Sequence, residues 1–203
     1  MKFRFKKSEL GVFNTKVSDD VLRNFSKDCR IIGLTRGEFS LIDLLRSILK
    51  KTGKAHVICT TWSAGIKDAH QIEWLMRDNN ISSFNLVTDH SYSTRQKKYA
   101  VTIEQLFGKE NIRTSEIHAK FLLIYNDNYN VCVRTSMNLN ANRTCENFEI
   151  DEDKSIFDFY MDFIEHLFGS MPKGFTSSSF KANKSLDIFF NKSNNKLRGW
   201  SEI

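Results

Sequence analysis

The stretch that decides the fold is Ile117-His-Ala-Lys-Phe-Leu-Leu-Ile124, followed after a polar turn by Val131-Cys-Val-Arg-Thr135 and then Ser136-Met-Asn138. Residues two apart in a strand share a face. His118, Lys120, Leu122 and Ile124 therefore point one way, and Ile117, Ala119, Phe121 and Leu123 the other. Apolar side chains on both faces predict a strand buried on both sides, central in its sheet. A His and a Lys at the start of such a strand lose hydration, which partners or a function must offset. Asn126-Asp-Asn128 has turn composition, so residues 131–135 are predicted to return as the second strand of a hairpin. The end of that strand then lies beside the start of the first, with Ser136 and Asn138 near His118 and Lys120. A nucleophile, a fixed cation and two neutral hydrogen bonders are the inventory for gripping a phosphate and attacking its phosphorus.

Around this hairpin, helical and strand-like patterns alternate from about residue 33 to 168, which predicts an α/β layered domain. Ser40 is an N-cap candidate with Asp43 three residues on. Leu41, Leu44, Leu45, Ile48 and Leu49 give the helix an apolar face, and Gly53 ends it. A strand is predicted over 55–61, then a turn at 63–65 and a helix carrying Ile72, Leu75 and Met76 inward. Another strand is predicted over 84–88, then a polar loop over 89–94 and a helix closed by Gly108. Residues 155–168 form an amphipathic pattern with Ile156, Phe157, Tyr160, Phe163, Ile164 and Leu167 on one face. After Gly169, Ser, Asn and Lys dominate, with Lys173, Lys181, Lys184, Lys192, Lys196 and Arg198. The expected organisation is an N-terminal segment (1–30) packing on the domain, the domain itself (31–169), and a basic, partly ordered C-terminal extension (170–203).

The chain has 203 residues and a net charge of +6, which leans toward a polyanionic partner. It has no apolar run near the roughly 18 residues that span a bilayer. The basic start, Met1-Lys-Phe-Arg-Phe-Lys-Lys7, has no apolar stretch of the secretory kind. A cytoplasmic protein with no membrane partner is expected. Cys29, Cys59, Cys132 and Cys145 show no C-x-x-C spacing, so neither a disulfide framework nor a metal site is predicted, and no cofactor is expected. Cys59 and Cys132 fall in apolar runs and are read as buried thiols. His56 and His166 are read as structural and His70 as solvated. Trp62 and Ser63, just after a strand, are candidates to line the site, and Trp62 is read as a packed indole.

His118-Ala-Lys120, Thr135-Ser136-Met-Asn138 and Glu146-Asn147 together resemble the phospholipase D-like superfamily. That family carries His-x-Lys, a following Asp, Gly-Ser-x-Asn and, in its nuclease branch, Glu-Asn. Arg36-Gly-Glu-Phe-Ser-Leu-Ile-Asp-Leu-Leu45 and Thr61-Trp-Ser63 also look like the opening of such domains, so the resemblance spans about residues 33 to 168. It implies a mixed central sheet flanked by helices on both faces. His118 would be the nucleophile, Lys120, Ser136 and Asn138 would hold the phosphate oxygens, and Glu146 would orient a histidine through its second ring nitrogen. Two positions depart from the pattern. Tyr125 stands where the Asp is expected, and Thr135 replaces the glycine, where a side chain would narrow the phosphate's approach.

One His-x-Lys is half a site in this family, so a homodimer is expected to share one site. The expected function is metal-independent cleavage of DNA or RNA. The alternatives are a weak or inactive nucleic-acid-binding relative and a phospholipid phosphodiesterase. His90, Arg95 and Lys97 lie in or just after a loop that follows a strand end, where ligands bind in α/β layouts, and are read as a substrate-contacting rim.

Overall fold

The protein is described by a computed structural model that covers residues 7–140 and 143–193. Its strands are β1 (Lys7–Phe13), β2 (Cys29–Thr35), β3 (Ala55–Thr61), β4 (Ile81–Asp89), β5 (Ile112–Ser115), β6 (Lys120–Tyr125), β7 (Asn130–Thr135) and β8 (Glu146–Glu152). They form one sheet in the order β1-β2-β8-β7-β6-β3-β4-β5. The pairs β1–β2, β3–β4 and β4–β5 are parallel, and the rest antiparallel. The helices are α1 (Leu41–Thr52), α2 (Ile66–Arg77), α3 (Tyr92–Arg95), α4 (Lys97–Phe107), α5 (Lys154–Ser170) and α6 (Ser179–Ser193).

Local chemistry explains the frame. Ser40 and Asp43 form a reciprocal capping box at the start of α1. That satisfies two backbone donors which the first turn leaves open. The β6–β7 hairpin closes on Asn126, whose side-chain oxygen accepts from the backbone N–H groups of Asn128 (2.9 Å) and Tyr129 (3.0 Å). Its register pairs Lys120 with Thr135. As predicted, β6 is central, between β3 and β7.

The strand is shorter than its apolar run suggests. It begins at Lys120 rather than Ile117, so Ile117, His118 and Ala119 precede it. The cause lies in β3. The Thr60 hydroxyl accepts from the Phe121 N–H (2.9 Å) and donates to the Ala119 carbonyl (3.1 Å). A side chain thus takes the place of the next backbone pair. β1, β2, β5 and β8 add to the strands predicted, and α6 occupies much of the segment read as a basic extension. Lys196 and Arg198 lie outside the described residues.

Each sheet face has its own helix layer. On one, α1, α2 and α4 bring Leu44, Leu45, Ile48, Ile72 and Ile103 onto Val57, Leu86, Leu122, Ile124, Val133 and Phe148. On the other, α5 and α6 bring Phe157, Ile164, Leu167 and Ala182 onto Ile58, Val87, Phe121, Leu123 and Cys132. These last two helices contact β5, β6 and β7. Farther along the same face, toward β1, Leu10, Val12 and Leu34 stand exposed. α6 is tied to α5 by the His166 ring, whose Nε2 lies 2.8 Å from the Ser185 carbonyl, and by a Ser170–Ser185 hydroxyl pair (2.6 Å). No helix among the described residues is long and apolar enough to cross a membrane.

Candidate active site

Four strand ends meet at one rim of the sheet. They are the end of β3, the start of β6, the end of β7 and the start of β8. The chain arrives from β5 through Ile117 and places His118, exposed, just ahead of β6. The Lys120 ammonium donates to the His118 carbonyl at 2.8 Å and sits 3.3 and 3.4 Å from the two ring nitrogens. A cation therefore lies against the imidazole, held by the backbone that carries it. Burial lowers the Lys120 pKa, and the nearby negative charge of Glu146 opposes the shift.

Ser136 follows β7 and is locked to β8. Its hydroxyl donates to Glu146 and accepts from the Asn147 N–H (3.0 Å), and its own N–H donates to the Asn147 carbonyl (3.1 Å). Glu146 also accepts from Thr144 (2.9 Å). Its carboxylate is thus engaged by two hydroxyls. Asn138 is reached by the Thr61 hydroxyl, which lies 3.3 Å from its Oδ1. Thr61 Oγ1 also accepts from the Leu139 N–H (3.0 Å), and Leu139 donates in turn to the Ser63 carbonyl (3.2 Å). The turn that carries Ser136 and Asn138 is therefore fastened to β3 on one side and β8 on the other. The Thr135 hydroxyl is turned back onto the backbone, to the Asn147 carbonyl (2.7 Å) and the Met137 N–H (3.0 Å). It shapes this turn rather than standing free.

Among the expected rim residues, Arg95 joins the cluster. It donates to the Trp62 carbonyl (3.1 Å), and its guanidinium lies 3.8 Å over the Trp62 ring. The Trp62 ring centroid is 5.9 Å from that of His118. Trp62, read from sequence as a packed indole, thus packs on the imidazole itself. His90 donates its N–H to the Ser115 carbonyl (2.8 Å), and its Nδ1 lies 3.7 Å from Asp89. Lys97 is exposed on α4. No hydrogen bond or ion pair among the described residues joins either to His118. Thr60, Thr61 and Trp62 are the residues that sequence reading undervalued. Two threonines at the very end of an apolar strand are the signal for them, since a buried hydroxyl there must find a backbone partner. Of the remaining histidines, His56 meets Ser83 (2.7 Å) and stacks on Tyr125. Among the described residues, no group of three or more His, Cys, Asp and Glu is placed to hold a metal ion.

No family model and no curated protein sequence matches the chain. Solved structures do. NucT from Helicobacter pylori is similar with a TM-score of 0.51 at 14% identity, over 71% of this chain and 99% of its own. Nuc from Salmonella typhimurium, a phospholipase D family member, has a TM-score of 0.52 at 12% identity, over 71% and 96%. A polyphosphate kinase from Porphyromonas gingivalis has a TM-score of 0.56 at 11% identity, over 75% of this chain and 29% of that one. At these identities the likeness is one of architecture: the chain has the phospholipase D-like fold, a mixed sheet with helices on both faces.

Proposed function

We propose that this chain is a phospholipase D-like phosphodiesterase, a metal-independent nuclease of DNA or RNA whose site is shared by two copies. The observation that carries it is the Lys120 ammonium held against the His118 imidazole at the sheet rim, beside the fastened Ser136–Asn138 turn. His118 attacks phosphorus, a nitrogen–phosphorus bond forms and the bond to the leaving oxygen breaks. Lys120, Ser136 and Asn138 hold the non-bridging oxygens. The leaving oxygen takes a proton from His118 of the second copy, which then draws a proton from water as that water cleaves the phosphohistidine. Glu146 orients a histidine in the assembled dimer.

The dimer is supported by the half-covered sheet. The exposed apolar side chains Leu10, Val12 and Leu34 lie on the face that α5 and α6 leave toward β1. Leu34 pairs with Asn147, and Thr35 with Glu146, so this surface runs up to the rim of the site. A second copy seated there brings its own rim alongside. The net charge of +6 favours a nucleic-acid strand as substrate.

A second reading, a phospholipid phosphodiesterase, is favoured by one observation. An apolar cleft of about 280 Å³, lined by Ile117, Ala119, Phe121, Phe159, Phe163 and Phe190 among others, opens beside the segment that carries His118. The deciding experiment incubates the protein in EDTA with labelled single- and double-stranded DNA and RNA, and with phospholipid vesicles. Strand cleavage that His118→Ala abolishes supports the nuclease. Headgroup release with intact strands would replace it by the lipid reading.

A further inference from the structure

We propose that Trp62 and Arg95 build a second phosphate subsite, which takes a phosphate of the same strand next to the scissile one. The proposal rests on the nuclease reading and adds to it that the substrate is a strand with successive phosphodiesters rather than an isolated diester.

An exposed arginine ordinarily samples many rotamers. Arg95 is exposed yet held on three sides. Its Nη2 donates to the Trp62 carbonyl (3.1 Å), its Nε donates to the Ser91 hydroxyl (2.9 Å), and its guanidinium plane is backed by the indole at 3.8 Å. The support continues inward. Ser91 donates both its N–H (2.9 Å) and its hydroxyl to Asp89, which is buried. The Asp89 carboxylate is thus engaged by the loop. A guanidinium has five N–H donors, and these bonds occupy two of them on a side chain that is exposed. A preorganised fork of this kind suits phosphate oxygens.

Arg95 does not serve the scissile phosphate. That position already has Lys120, Ser136 and Asn138 in the proposed mechanism, and the Trp62 ring neighbours both Arg95 and His118. The two centroid distances, 3.8 and 5.9 Å, bound the separation of Arg95 from the imidazole. It is at most about 10 Å, while successive phosphates advance roughly 3.4 Å along a strand axis. The phosphate next to the scissile one falls within that reach. Trp62 is a positioning residue here: one face fixes Arg95, and the ring packs on His118.

The test compares substrates that differ in phosphate number. In EDTA, kcat/KM is measured for a dinucleotide with one phosphodiester and for a trinucleotide with two. Wild type is expected to gain about ten- to hundredfold with the second phosphate, the range of a hydrogen bond to a charged group. Arg95→Gln and Trp62→Ala lose that gain, and Trp62→Phe, which keeps an aromatic face, retains most of it. In a His118→Ala background, Arg95→Gln also reduces the salt slope of single-strand binding by about 0.7. Melting curves identify any variant that fails to fold; Arg95 is exposed, so Arg95→Gln should keep the fold, and its substrate comparison and salt slope decide if Trp62→Ala does not. A gain that survives in Arg95→Gln, or equal losses on both substrates, overturns the subsite alone. A wild-type protein inert on both substrates overturns the nuclease reading and the subsite together.

Discussion

The ammonium group of Lys120 is partly withdrawn from water, and that burial lowers its pKa below the ordinary 10.5 despite the opposing pull of Glu146. The sign of the consequence is fixed. A lowered pKa means the cation is lost at a lower pH than from a free lysine, so the proposed grip on phosphate weakens early on the alkaline side. In the His118→Ala protein, whose profile lacks the proton-transfer group, single-strand binding should weaken with rising pH below 10.5, and Lys120→Arg should move that loss to higher pH. A loss that Lys120→Arg leaves unmoved would take Lys120 out of phosphate binding. A second expectation concerns the thiols. Cys29, Cys59 and Cys132 are buried, and burial raises the pKa of each, to about 12 for Cys132. Cys145 is exposed. A maleimide should label the native protein at Cys145 and reach the other three only after denaturation, as read by mass spectrometry. At this scale the sequence was informative about reactive groups and less so about their supports. His118, Lys120, Ser136 and Asn138 have residue types that advertise chemistry. Thr60 and Thr61 are ordinary strand residues whose task appears only when β3 lies beside β6 and the turn after β7.

Among the elements, α1 and the hairpin were legible because their signals are local: a capping box, an Asx turn and an uninterrupted apolar run. β8 was harder. Its sequence Glu-Asn-Phe-Glu-Ile-Asp-Glu alternates, but the polar positions serve a network on the sheet. Asp151 is fully buried between Arg30 (2.6 Å) and Arg134 (2.6 Å), and Glu149 pairs with Arg134. The pattern looks solvent-facing until β2 and β7 supply the partners. β2 carries its own constraint. Gly33 lies under the rings of Phe148 and Phe13, and an added methyl would run into both. Phe148 sits in the main core, where packing is close, and Phe13 packs against it. Gly33→Ala should therefore destabilise by about 1–3 kcal/mol through overpacking. Pairing it with Phe148→Leu should recover part of that loss in chemical denaturation. A neutral Gly33→Ala would mean the rings move aside freely.

For the molecule as a whole, the proposed shared site sets a stoichiometric expectation. When wild-type and His118→Ala chains are refolded together and exchange at random, activity should follow the square of the wild-type fraction. A linear fall would mean that each chain works alone. The uncovered sheet face gives a companion test. Leu34→Asp with Val12→Asp places charges on a surface that is already exposed, with Val12 at 80% exposure, so the monomer should still fold. Size-exclusion with light scattering should show the dimer lost and cleavage lost with it. Active monomers would separate the chemistry from assembly. The strand order has a further consequence, for the time at which the site comes into being during synthesis. β3, β4 and β5 are neighbours in sequence and in space, and β6 and β7 add to them in turn. β2 is different: it pairs with β1 and with β8, the last strand of the sheet. The first two strands must wait, joined only to each other, until nearly the whole sheet has left the ribosome. Ser136 and Glu146 are fastened together at that same closing step. A nascent chain halted before β8 would carry His118 and Lys120 without the clasp that sets the turn beside them, so the proposed phosphate grip is withheld until the sheet is closed.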